Sequence, residues 1–180
     1  MRIDKRRAVT LVIDIQERLL PAMEDYETIE KNARILIEGS QVLGLPILYS
    51  EQYPKGLGPT VESLRPWIND NLHEKTSFSL MDDMKDVMEA LFSQGRDQFI
   101  ISGIETHVCV YQTARDLLEL DKEVYLASDA MGSRKLENKN WALQSLLAMG
   151  ARILPTETIL FDIQRSASTD TFKKISSLIK

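Results

Sequence analysis

Cys109 is the one thiol in the chain, and its surroundings decide whether it packs or reacts. It lies in Gly103-Ile104-Glu105-Thr106-His107-Val108-Cys109-Val110, where an apolar run gives way to a helix-like pattern. A thiol in the first turn of a helix faces the positive end of the helix dipole, and a nearby ammonium lowers its pKa further, favouring the nucleophilic thiolate. Two other residues are placed to join it: Asp14, which ends the first apolar run, and Lys75, which follows a long irregular segment. A carboxylate beside a thiol can accept its proton and later return it to a leaving group. Taken singly, each residue has a plainer reading: an Asp ending a strand as a turn residue, a helical Cys as packing, a Lys as a solvated charge. Nucleophile, proton acceptor and counter-charge complement one another, and that is the case for a shared site.

The elements that must position them read as an α/β/α sandwich. Residues 9–13, 46–49, 98–102, 124–127 and 152–154 form apolar runs of the length and continuity of buried parallel strands. Helix-like stretches separate them at residues 28–43, 83–92, 107–120 and 138–149, and Gly44, Gly95 and Gly150 follow as left-handed C-terminal caps. Parallel neighbours need crossover connections, so helices are expected on both faces of the sheet. Asp14, Lys75 and Cys109 then share the carboxyl edge of the strands, where ligands bind in open α/β sheets. Residues 51–73, with Pro54, Gly56, Gly58, Pro59 and Pro66, read as one irregular stretch walling a pocket at that edge.

Composition narrows the partners. A chain of 180 residues is expected to fold as one domain, residues 1–180, with a core large enough to need no disulfide or metal. The formal charge of -5 provides no positive field for a phosphate backbone, so nucleic acid is not an expected partner. The basic Lys5-Arg6-Arg7 precedes an apolar stretch that Asp14 interrupts before it reaches the length of a membrane span or signal core, so a cytoplasmic protein with no membrane partner is expected. A lone cysteine excludes an intrachain disulfide and a Cys-based zinc cage. None of the eight glycines builds G-x-G-x-x-G at a strand-to-helix turn: Gly56 and Gly58 are followed by Pro59, with Val61 where the third glycine belongs. Neither a P-loop nor a G-x-S-x-G elbow is present.

Three segments carry a resemblance. Asp14-Ile15-Gln16, Lys75 and the block from Gly103 to Val110 resemble the signature blocks of the isochorismatase-like hydrolases, in their cysteine hydrolase branch. The resemblance implies a six-stranded parallel sheet of order 3-2-1-4-5-6, with a short strand around residues 73–75, and an Asp14-Lys75-Cys109 catalytic group. It also implies a cis peptide between Ile104 and Glu105, and an oxyanion site formed by the backbone N–H groups of Glu105 and Cys109, a task that suits a helix N-terminus.

Departures from the relatives sharpen the expectation. Members that hydrolyse nicotinamide hold a metal through Asp-x-His after the second strand, where this chain reads Ser50-Glu51-Gln52-Tyr53; with only two histidines in all, neither metal nor cofactor is expected. Many members place a Phe three residues after the Gln of the first block; Leu19 stands there, which weighs against a stacked aromatic ring. Cys109 separates the chain from true isochorismatases, which cleave a vinyl ether without a nucleophilic cysteine. The expected reaction is therefore acyl transfer on a small amide or related C–N substrate through a thioester. The alternatives are a non-catalytic oligomeric member and, further off, a ribonuclease. Gln16, Leu19, Gln52, Tyr53 and Phe78 flank the blocks and are expected either to line the pocket or to pack. His107 should face away from the thiol, because two helical residues are separated by about 200°; His73 could share the strand face of Lys75. Relatives commonly form oligomers, so a homo-oligomer is expected, with Met131 and Trp141 suited to the contact. The terminal stripe Phe172, Ile175 and Leu178 either covers the last strand or meets another subunit.

Overall fold

Six short apolar segments can be buried on both faces only if helices cover both sides, and the computed structural model, which describes residues 2–68 and 70–180, has that layering. In chain order the elements are β1 (Ala8–Ile13), α1 (Tyr26–Leu43), β2 (Ile47–Gln52), the single turn α2 (Pro54–Leu57), β3 (Leu72–Lys75), the single turn α3 (Leu80–Asp83), α4 (Lys85–Ser93), β4 (Gln98–Ile104), α5 (Tyr111–Glu119), β5 (Glu123–Gly132), α6 (Leu136–Ala148), β6 (Arg152–Leu154), α7 (Thr156–Gln164) and α8 (Asp170–Ile179). All strand pairings are parallel, and the order is β3-β2-β1-β4-β5-β6. β1 lies at the centre with every residue buried.

Alternation along β1 separates two cores. Ala8 and Val12 join Ile29, Leu36, Leu160 and Ile175 beneath α1, α7 and α8, whereas Val9, Leu11 and Ile13 join Met88, Ala114, Leu117 and Leu146 beneath α4, α5 and α6. Cys109 belongs to the second core. Ile175 is fully buried and α8 packs on α1 and α7, so the terminal stripe is turned to its own chain's helices.

Several boundaries differ from the expectation. β2 runs on to Gln52 and β5 to Gly132, beyond the apolar runs at residues 46–49 and 124–127, because polar residues at the carboxyl edge still pair along their neighbours. The stretch at residues 51–73 is not uniformly irregular: it holds the end of β2, α2, a 3₁₀ turn at Arg65–Trp67 and the start of β3; position 69 lies outside the described residues. The helix expected over 107–120 begins as a π-helical turn, Thr106–Val110, that leads into α5.

Gly103 faces Ile13 where β4 pairs with β1. Its φ is +132°, and a Cβ there would lie 2.1 Å from the carbonyl oxygen of Ile13, next to Asp14. Any side chain at this position must push the two central strands apart. Gly103→Ala is expected to lower the unfolding free energy by about 3 kcal/mol, read as a shifted urea midpoint with an unchanged slope; a midpoint equal to wild type would contradict the close approach.

Candidate active site

Strand ends bring the three expected residues together. Ser50 and Gln52 are two apart on β2 and so share a face, and the β2–β3 register sets Gln52 opposite Lys75. The β1–β2 register sets Ser50 opposite Ile13, placing this group on the Cys109 side of the sheet. Continued alternation would send Asp14 to the other side. Its φ of +54° breaks the pleat, and Asp tolerates this left-handed conformation better than most side chains. The carboxylate is thereby turned toward Lys75.

The ion pair is sealed. Lys75 Nζ donates to Asp14 Oδ2 at 2.7 Å, and both side chains are 0 % exposed. The same ammonium donates to Gln52 Oε1 at 2.6 Å and to the carbonyl oxygens of Ser77 and Phe78 at 3.2 Å each. Four acceptors around three N–H bonds leave this cation fully engaged. The second oxygen of Asp14, Oδ1, accepts from the Ser50 hydroxyl at 2.7 Å. Ser50 was missed as a site residue because no sequence pattern marks a serine that serves a carboxylate on the neighbouring strand.

Cys109, in the π turn, is the third member, only 6 % exposed. Burial pushes its thiol up most; the charge of Asp14 and a hydrogen bond to it push the same way, the charge of Lys75 and its hydrogen bond pull down, and the net position is about 12. The expectation of a stabilised thiolate is corrected: desolvation and the carboxylate outweigh the ammonium and the helix terminus, so the resting sulfur carries its proton. A protonated thiol therefore lies against a carboxylate, the pairing that a proton transfer would need.

Beside it, the peptide between Ile104 and Glu105 is cis. Among the described residues, the backbone N–H of Glu105 donates to no protein acceptor, while the Glu105 carbonyl accepts from Val108 and Val110. Three successive contacts tie this turn to the end of β5: the Glu105 carboxylate accepts from the Arg134 backbone at 3.0 Å and its guanidinium at 3.1 Å, Thr106 Oγ1 donates to the Gly132 carbonyl at 3.0 Å, and His107 Nδ1 lies 2.9 Å from Ser133 Oγ. His107 is thus turned to β5.

The pocket-lining expectations divide. Gln16 is fully buried; its amide donates to the carbonyls of Gln52 and Gly58, and its oxygen accepts from the Gln52 N–H. With both ends of the amide occupied by backbone, Gln16 is a loop clamp and not a pocket contact. Leu19 packs against the core beneath α1, away from the Cys109 core. Gln52 holds Lys75 and the Thr76 carbonyl. Tyr53 and Phe78 are 55 % and 50 % exposed, and Tyr53, with Lys55, Lys75 and Thr76, lines a cleft at this edge. His73 lines a separate cleft with Asp82 and Val87. Among the described residues no group of three His, Cys, Asp or Glu side chains is placed to hold a metal.

Comparison with known proteins identifies the family and the fold. The isochorismatase domain matches residues 8–158. The chain belongs to the isochorismatase family. Isochorismatase domain-containing protein 2 of Danio rerio is 36 % identical over 184 aligned positions, covering 99 % of this chain and 89 % of that protein. Among solved structures, the MAR1 ribonuclease of Caenorhabditis elegans superposes with a TM-score of 0.91 at 31 % identity, covering 99 % of this chain and 92 % of that one. The YcaC gene product of Escherichia coli, an octameric hydrolase of unknown specificity, shares the fold with a TM-score of 0.91 at 23 % identity, covering 99 % and 90 %.

The thiol's position gives a signed expectation. Because Asp14 raises the Cys109 pKa and Lys75 lowers it, Asp14→Asn should move the thiolate step to lower pH and Lys75→Met to higher pH, followed as absorbance at 240 nm against Cys109→Ser. A wild-type thiolate already present at neutral pH would contradict the geometry.

Proposed function

We propose that this protein is a cysteine-dependent hydrolase that cleaves a small amide or related C–N substrate through a thioester on Cys109. The observation that carries the reading is the buried Asp14-Lys75 ion pair set against the Cys109 thiol, beside the unpaired backbone N–H of Glu105. As Sγ attacks the substrate carbonyl, Asp14 takes the thiol proton; the developing oxyanion accepts from the N–H groups of Glu105 and Cys109. Collapse returns the proton to the departing nitrogen and leaves the acyl group on sulfur. Water, giving a proton to Asp14, then attacks the thioester, and the acid departs as the thiol is reprotonated. Lys75 holds the Asp14 carboxylate in place through the 2.7 Å contact and opposes its charge. Tyr53 and Phe78, exposed at the same edge, are the side chains proposed to meet the substrate, and no cofactor enters the scheme.

The ribonuclease name belongs to the nematode relative. The charge of -5 here weighs against a polyanionic substrate, as it did on composition alone. A small panel of amides, ureas and carbamates, with intact-mass detection of an acyl adduct, tests the proposal. Replacement of Asp14, Lys75 or Cys109 should each remove most of the rate, and a second replacement should add little, because the three act as a unit. Multiplicative losses in the double variants would refute the shared mechanism, and full turnover by Cys109→Ala would refute the thioester.

We also propose a homo-oligomer. The octameric state belongs to the E. coli relative, and here α6 leaves Leu136, Trp141 and Leu147 at least half exposed. Met131 does not contribute, contrary to expectation, since it is fully buried as β5 pairs at Gly103. Light scattering at micromolar concentration should give a multiple of 20.5 kDa, and Trp141→Glu should reduce it; a wild-type mass equal to the monomer would sink the idea. Among the described residues no helix is long and apolar enough to cross a membrane.

A further inference from the structure

We infer that Ser50 is a positioning residue that tunes Asp14 as the proton acceptor for Cys109. Ser50 is 2 % exposed, and its hydroxyl donates to Asp14 Oδ1 at 2.7 Å, the oxygen that Lys75 does not hold. The backbone repeats the link, since the Asp14 N–H donates to the Ser50 carbonyl at 3.1 Å. A carboxylate in the left-handed conformation at a strand end has no pleat to orient it, so these two contacts and Lys75 fix its direction.

A hydroxyl that donates to a carboxylate favours the ionised form, and in a dry site a hydrogen bond to a charge is worth more than a neutral one. The ionisable groups recorded against Asp14 are Lys75 from β3 and Cys109 from the π turn. Asp83, on α3 behind the loop, is occupied by the N–H groups of Thr76 and Ser77. Ser50 is therefore the neutral group through which the fold adjusts the carboxylate. Without it one oxygen of the carboxylate loses its buried donor.

This inference rests on the proton transfer proposed above, but its test needs no substrate. Cys109 is the only cysteine, so alkylation by iodoacetamide, followed by intact mass, reports the Asp14-Cys109 pair directly. The rate should hold a plateau and fall in acid, with a midpoint that belongs to the Asp14-Cys109 pair and not to either residue. Ser50→Ala should raise that midpoint by roughly one pH unit, and Ser50→Thr, which keeps the hydroxyl, should restore it; a packing role alone would change stability or rate without moving the midpoint. An unmoved midpoint in a folded Ser50→Ala protein overturns the role of Ser50. In Asp14→Asn the wild-type fall should be replaced by a continuous rise with pH that follows the thiolate. A fall identical to wild type in that variant means that another group accepts the proton, and it overturns the proposed mechanism together with this inference.

Discussion

A lysine and an aspartate held 2.7 Å apart with no exposure to solvent are the constraint on which the carboxyl edge of this sheet is built. Removing two charges from water costs several kcal/mol per ion, and their attraction repays it only when the remaining valences are also filled. Each valence here has a named partner: Ser50 on the carboxylate, and Gln52 with the carbonyls of Ser77 and Phe78 on the ammonium. Those partners in turn explain local structure. Gln16 clamps the backbone of Gln52 on both sides, Gln52 reaches Thr76, and Asp83 caps the N–H groups of Thr76 and Ser77. A network satisfied at every member fixes one geometry; a gap in it would leave a buried charge exposed to its own desolvation.

Parallel strands deliver such a network economically. Their carboxyl ends emerge side by side, so the ends of β1, β2 and β3 contribute from neighbouring register rows, and β4 feeds the π turn that carries Cys109. Two departures from regular strand geometry are needed. Asp14 must leave the pleat through a positive φ, and β4 must approach β1 so closely at Gly103 that no side chain fits. Both occur at the same level of the sheet, next to the ion pair, as expected where function overrides local preference.

The layered fold was legible because apolar runs and helical periods are local signals, and runs such as residues 9–13 and 98–102 fell inside observed strands. Asp14 and Cys109 were legible through their types and their places at strand ends, and Lys75 through its place after the irregular segment and the family resemblance. What stayed hidden depends on partners remote in sequence. Ser50 and Gln52 gain their roles only from register across three strands, and Gln16 reads like a pocket residue until its amide is seen to be filled by backbone. The extension of β5 to Gly132 was equally invisible, because it follows from pairing with β4 across a register shift between Ile101 and Gly103. Met131 looked like a surface methionine for the same reason: its burial is set by that pairing.

The protonated thiol alters how the site is to be understood. An ionised sulfur would react without giving up a proton, whereas a neutral thiol held by burial and by Asp14 must pass its proton on as it attacks. In the proposed reaction the ion pair is already neutral overall, so moving the proton from sulfur to carboxylate frees the positive charge of Lys75 at the moment negative charge grows on the substrate oxygen. The field that opposes ionisation at rest becomes favourable in the transition state, without any group having to move. Burial serves both ends of that exchange, since the dielectric that keeps the thiol neutral is also what makes the uncovered lysine charge strong.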